Sequence, residues 1–276
     1  MGELTHPHPV TGQEFLSPVP PGTGWPGDPA TLDTPVATND LDVANLAAAA
    51  DTVEDLQAVI TVCRACPRLV AWREEVATQG RRAAFKQQPY WGRPGPAFGD
   101  GQASVLVVGL APAANGTNRT GRMFTGDASG DFLYAALHRT GWASQPTSVA
   151  AGDGQRLTGM RIVAAVRCAP PQNKPTGGER ATCALWLRRE FELTPSLRTV
   201  LCLGALAWEA VIRTGLAMGW SFQGPKPRFS HGVRVTASTS SGPVGLVGSY
   251  HVSPHNTYTG RLTADMLEAV LRSLRP

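Results

Sequence analysis

Long apolar runs are missing from this sequence of 276 residues: nothing approaches the roughly 18 consecutive residues of a membrane helix. The N-terminus lacks the basic-then-apolar order of a secretory signal, so the expectation is a cytoplasmic protein. Lysine and arginine are absent from residues 1–63, where nine acidic residues stand. The rest of the chain therefore sets all 25 basic residues against 12 acidic ones, a net +13 hidden beneath an overall +4. A body this basic suits a polyanion such as nucleic acid, because each cation placed against a phosphate releases counterions and strengthens association at low salt. Simple solubility is the plainer use of the same charge. Cysteine is sparse and odd in number, with Cys63, Cys66, Cys168, Cys183 and Cys202 the full set. That count argues against a disulfide framework in a chain this size and leaves metal ligation as the leading use.

With 42% hydrophobic residues, the chain can bury one full α/β core and does not demand two large domains. The first forty residues hold Pro18, Pro20, Pro21, Pro26, Pro29 and Pro35 among Gly, Thr and Asp. Their weak apolar periodicity predicts a disordered tail or a loosely wrapped arm over 1–45, with the folded domain spanning 46–276. Thr52 and Asp55 make a capping box for a helix over 53–62. Four short β-branched runs follow, at 105–109, 161–166, 199–203 and 244–249. Each is trailed by a loop and a helical spacing, over 129–140, 178–193, 205–214 and 261–274. Continuous apolar strands alternating with helices predict a three-layer α/β/α sandwich on a four-stranded parallel sheet. Ligands of such sheets sit outside the carboxyl ends of the strands, which makes neighbours of the loops at 110–128, 168–177 and 250–260. The stretch 220–241 is rich in Gly, Pro and Ser and carries no assignable element, and no internal repeat is present.

Cys63-Arg-Ala-Cys66 is a two-ligand knuckle at a helix end, and Cys168 and Cys183 lie at the edges of elements. Four thiolates can hold a four-iron four-sulfur cluster or a zinc ion. The wide separation of the second pair favours the cluster, since structural zinc more often uses two short pairs. Four unrelated buried cysteines would be the bland alternative. Cys202 sits in an apolar run and reads as a small hydrophobe.

The loop after the first strand runs Gly109-Leu-Ala-Pro-Ala-Ala-Asn-Gly-Thr-Asn-Arg-Thr-Gly-Arg-Met-Phe-Thr-Gly-Asp127. The spacing of Gly116 and Gly121 suggests a phosphate loop, but Arg122-Met123 replaces the Lys and Ser/Thr such a loop requires, which excludes nucleoside triphosphate binding. Its glycines allow close backbone approach to a flat ligand. Phe124 offers a stacking face, unless it is simply a core residue. Asp127 precedes a helix and can be a cap or a working carboxylate. After the fourth strand comes Tyr250-His251-Val-Ser-Pro-His-Asn-Thr-Tyr-Thr-Gly-Arg261. A histidine at a strand end is placed to donate to a developing anion.

The run 109–127 resembles the first motif of the family 5, or B-type, uracil-DNA glycosylases, and the run from His251 to Leu262 resembles their second. The spacing of Cys63, Cys66, Cys168 and Cys183 is similar to the cluster ligands that this family shares with family 4. The resemblance covers about 60–275. It implies a parallel four-stranded α/β/α sandwich carrying a structural 4Fe-4S cluster, and removal of uracil from DNA together with hypoxanthine and ethenocytosine. Family 4 has a base-reading Asn four residues before the third cluster cysteine. Here that position is Ala164, which fits a wider substrate range. Asn115 departs from the His usual in related sequences and alters the polar lining of its loop.

Such an enzyme takes the damaged nucleotide out of the stack and must stabilise an oxocarbenium-like sugar and an anionic base. The expected roles give Asp127 the sugar or its attacking water, and His251 the departing base's oxygen. Phe124 stacks on the base, and Asn118 or main-chain amides from Ala111 to Asn115 contact its edge. Arg119, Arg122 and Arg261 hold the DNA, and the protein acts as a monomer. A non-catalytic iron–sulfur or zinc module that binds damaged or single-stranded DNA is the rival reading. A zinc deaminase is excluded, because the His-x-Glu partner of a Pro-Cys-x2-Cys motif is absent.

Overall fold

The computed structural model describes residues 4–275. The N-terminal arm opens with a short antiparallel ribbon, β1 (His6–Pro7) and β2 (Glu14–Phe15). Three helices follow, α1 (Asp40–Ala49), α2 (Val53–Thr61) and α3 (Pro67–Thr78). The central part of the chain runs β3 (Phe98–Gly99), β4 (Val105–Gly109), α4 (Thr117–Thr120), α5 (Ala128–Arg139), β5 (Met160–Ala164), α6 (Gly177–Glu192), β6 (Thr199–Leu203) and α7 (Ala205–Ala217). It ends with β7 (Ser221–Phe222), β8 (Arg234–Thr239), β9 (Gly242–Ser249), α8 (Pro254–Tyr258) and α9 (Ala264–Arg272). The capping box is present: the Thr52 hydroxyl accepts from the Asp55 amide, and the Asp55 carboxylate accepts from the Thr52 amide.

The sheet order is β3-β5-β4-β6-β9-β8-β7. Its middle is the expected parallel quartet, with β5, β4, β6 and β9 paired side by side. Both faces of these strands are covered, so successive residues feed opposite cores. Val105 and Val107 face Leu133, Leu137, Leu267 and Leu271 of α5 and α9, whereas Leu106 and Val108 face Leu187, Val211 and Ile212 of α6 and α7. Among the described residues no helix is long and apolar enough to cross a membrane.

One expectation needs correction. The stretch 220–241 is not featureless: β7 and β8 lengthen the sheet antiparallel to β9, and β3 caps the other edge, making seven strands in place of four. Polar, exposed alternate positions such as Arg234, Thr236 and Ser238 give β8 one solvent-facing side. A scan for continuous apolar runs passes over such a strand. Of the two expectations for the N-terminal segment, residues 4–45 fit the wrapped arm. Phe15, Val19 and Trp25 bury against Trp91 and Ala151, and Asp28 accepts two hydrogen bonds from the buried Arg93, at 2.8 and 2.9 Å. Arg93 also lies 3.9 Å over the Trp91 ring. Many prolines restrict the unfolded arm, so a few large side chains suffice to hold it.

Trp25 also fills the space that a Cβ on Gly121 would need, with its indole nitrogen 2.6 Å from that position. Trp25→Ala should therefore cost about 3 kcal/mol of unfolding free energy, measured by urea denaturation. An unchanged midpoint would mean that the arm does not pack in solution.

Candidate active site

Gly109, Ala111, Pro112, Ala113, Thr117, Met123, Phe124, Asp127 and Ser129 line a small pocket at the carboxyl ends of the parallel strands, together with Ala164 and His251. The first and third expected loops thus meet. The loop 168–177 contributes no lining residue, and it carries Cys168 instead. A larger groove of about 620 Å³ lies elsewhere, between the arm and α3. It contains neither the acidic residue nor the strand-end histidine.

Glycines decide how the pocket closes. Asp127 caps α5, its Oδ1 accepting from the Gly130 amide at 2.9 Å. Its other oxygen lies 2.0 Å from where a Cβ on Gly116 would be, so only glycine lets the loop pass this close. Phe124 has a positive φ of 50°, a conformation that is uncommon for a side chain of this size. A Cβ on Gly109 would meet its ring at 2.8 Å, and one on Gly130 would meet its carbonyl oxygen at 2.0 Å. The Phe124 ring is half-buried against the sheet yet lines the pocket, and its centroid is 6.2 Å from that of His251. The cap occupies one oxygen of Asp127 and leaves the other at the pocket.

Burial pushes the Asp127 carboxyl above the ordinary aspartate range, against the pull of the Gly130 and Ser129 amides and of Arg119. Burial pushes the His251 imidazole down. Both shifts favour the uncharged forms, and the downward one leaves His251 a neutral ring at neutral pH, which can donate through one N–H. The His251 carbonyl accepts from the Asn256 side chain at 2.8 Å, which pins the turn after β9.

Several of the expected base- or DNA-contacting side chains turn inward instead. Asn118 is buried and donates to the Arg73 carbonyl at 3.1 Å. Arg119 donates to Asn115 O, Gln88 Oε1 and Gly126 O, at 3.0, 2.6 and 2.7 Å, and stacks over Phe85. Arg122 is held by Thr125, Ser148 and a paired contact with Asp153. The side chains of these three residues are hydrogen-bonded within the protein and do not line the pocket. Asn115 lies outside the lining and accepts from the Tyr90 hydroxyl at 2.8 Å. Ala111 lines the pocket, and Arg261 is exposed with its guanidinium 4.7 Å over the Tyr250 ring. Met123, Thr117 and Ser129 were not foreseen as lining residues. The Ser129 position two residues after a capping aspartate was the one available signal.

Cys63 follows α2, Cys66 caps α3, Cys168 follows β5 and Cys183 lies within α6. All four line a single cavity with Ile60, Leu69, Arg73, Arg167 and Trp186. Cys202 stands apart in the core of the sheet. Burial, with the neighbouring sulfurs adding to it, raises the Cys63 thiol to about 11, Cys66 to about 12 and Cys183 well above its ordinary value. The buried Arg73 donates to Cys168 Sγ at 2.9 Å and to the Cys63 carbonyl at 3.1 Å. Among the described residues no three His, Cys, Asp or Glu side chains are grouped closely enough to hold one metal ion. A zinc ion needs every sulfur about 2.3 Å from one point. A cubane cluster instead takes each sulfur on a different iron, and a buried cation beside the set suits its negative charge.

The profile of the uracil DNA glycosylase superfamily matches residues 96–275. A type-5 uracil-DNA glycosylase of Mycobacterium tuberculosis is 54% identical over 269 residues, 97% of each chain. One from Thermus thermophilus is 50% identical over 212 residues, 77% of this chain and 92% of its own. One from Pyrobaculum aerophilum is 43% identical over 232 residues, 84% and 96% respectively. With the family model matched over residues 96–275 and relatives 43–54% identical over most of the chain, the chain belongs to the uracil-DNA glycosylase superfamily, in its type-5 branch.

Proposed function

We propose that the protein excises uracil from DNA by hydrolysing its N-glycosidic bond, as the names of its relatives indicate for them. The observation that carries this reading is the convergence of Asp127, Phe124 and His251 on one pocket. A nucleotide turned out of the stack places its base against the Phe124 ring. As the bond to the sugar lengthens, positive charge grows at the anomeric carbon, and the ionised Asp127 carboxylate stabilises it and takes a proton from the attacking water. The base leaves as an anion, and the neutral His251 donates a hydrogen bond to its oxygen. All the groups come from one chain, so a monomer is sufficient.

Ala164 at the pocket's floor brings no amide to read the base edge, which supports acceptance of hypoxanthine and ethenocytosine as well. Cys63, Cys66, Cys168 and Cys183 would hold a 4Fe-4S cluster that ties α2 and α3 to the end of β5 and to α6. When bound, it supplies cross-linking and no step of the hydrolysis.

Asp127→Asn keeps a side chain that caps α5 equally well. It should leave the melting temperature nearly unchanged while lowering base release by about 10²–10⁴-fold, read as abasic sites after alkali on uracil and hypoxanthine substrates. Unchanged turnover would remove Asp127 from the chemistry, and DNA binding without any base release by the wild type would make the protein a binding module.

The pH profile follows from the two shifts. Asp127 works ionised, and its pKa lies above the usual aspartate value. His251 works neutral, and its pKa lies below the usual histidine value. Both groups reach the working form as pH rises, so kcat should climb along an acid limb between those ordinary values and stay level to the alkaline side. A bell-shaped profile would make the imidazolium the donor.

Purified protein should contain about four irons with matching acid-labile sulfide per chain, and Cys183→Ala should lose them together with solubility. Stoichiometric zinc in place of iron would overturn the cluster assignment.

A further inference from the structure

From residue 210 to 264 the chain has no aspartate or glutamate, while it carries Arg213, Lys226, Arg228, Arg234 and Arg261 and three histidines. Arg213 pairs with Glu209, and Arg234 bonds Ser273. That leaves Lys226, Arg228 and Arg261, all exposed, with no ion-pair partner among the described residues.

These three cations are gathered at the active end of the sheet. The segment leading into β8 is fastened to the end of β9, with the Gly232 amide donating to Gly248 O at 2.8 Å and the Gly248 amide to Val233 O at 3.0 Å. A Cβ on Gly248 would sit 2.6 Å from the Ser230 carbonyl oxygen, so the segment presses directly on the strand. Pro227, between Lys226 and Arg228, accepts through its carbonyl from the Trp208 indole at 3.1 Å, and Phe229 packs edge-on to the same ring. His231 stacks on Tyr250 at 5.0 Å and accepts from its amide at 3.2 Å, while Arg261 lies 4.7 Å over the Tyr250 ring. The next residue is His251, in the pocket.

We propose that Lys226, Arg228 and Arg261 form a phosphate-binding ledge for the DNA strand beside the pocket. Resting on the reading that the substrate is DNA, this assigns the strand-holding role to Lys226 and Arg228, outside both motifs, together with Arg261 at the end of the second, in place of the inward-turned Arg119 and Arg122. Two prolines and the anchor points fix the backbone before the ligand arrives, so little order is lost on binding. A stretch of 55 residues without a carboxylate presents no group that would repel phosphate.

The test compares wild type, the double variant Lys226→Ala/Arg228→Ala, and Arg198→Gln at the opposite end of the sheet, on a uracil-containing duplex from about 50 to 200 mM salt. Each phosphate contact contributes about 0.9 to the slope of log affinity against log salt. The double variant should lose about 2 from that slope and show roughly a tenfold higher KM with kcat retained, and Arg198→Gln should match wild type. Methylphosphonates flanking the uracil should weaken wild type and leave the double variant little changed, a reading that does not depend on how well the variant folds. An unaltered slope and KM in the double variant, or equal methylphosphonate effects in both proteins, would overturn the ledge. A wild type that shows the predicted slope difference yet releases no uracil would sink the catalytic reading and leave the ledge standing.

Discussion

Asp127 is where two demands on one carboxylate meet. A helix must be started, and an anion must be kept close to a ligand without being fully surrendered to the protein. The first demand is met through Oδ1 and the Gly130 amide, and the second leaves Oδ2 over Gly116. Nearly every unusual residue nearby serves that arrangement. Gly116 and Gly130 carry no side chain because a Cβ would collide with Asp127 and with the Phe124 carbonyl, and Phe124 takes a left-handed backbone so that its ring crosses the bare edge of Gly109. Burial raises the cost of the charge, and the amides at the start of α5 offset part of it.

The polar residues of the same loop have a different use from the one their chemistry suggests. A guanidinium with several protein acceptors is a strut, since its rigid fork is fully used. Arg119 holds the turn that delivers Asp127, and Arg122 joins the loop to Asp153 on the connection to β5. The pocket is therefore braced by inward-facing arginines and lined by a carboxylate, an imidazole and an aromatic face.

The parallel quartet was legible because strands buried on both faces read as unbroken apolar runs. Asp127, His251, Phe124 and Ala111 were legible because they fall in the loops after β4 and β9, where this architecture puts ligands. Strand β8 was not, since a strand with one exposed face and many small polar residues looks like a loop. Nor was the orientation of Asn118, Arg119 and Arg122: sequence reports that a donor exists, and only the fold tells which acceptor claims it. How the arm packs was not legible for a related reason. Its apolar residues are few, and what matters is that Phe15, Val19 and Trp25 converge on Trp91.

Arg93 joins segments that lie far apart in the sequence. Its guanidinium binds Asp28 of the arm and both the carbonyl and the hydroxyl of Thr61, the last residue of α2 before the cysteine knuckle. On the arm, Trp25 lies against Gly121 in the loop that ends at Asp127. Arm, knuckle and loop are thus three spans hung from one rivet. A chain built this way has no outer layer to shed before its centre gives way, so the arm should melt in the same cooperative transition as the sheet.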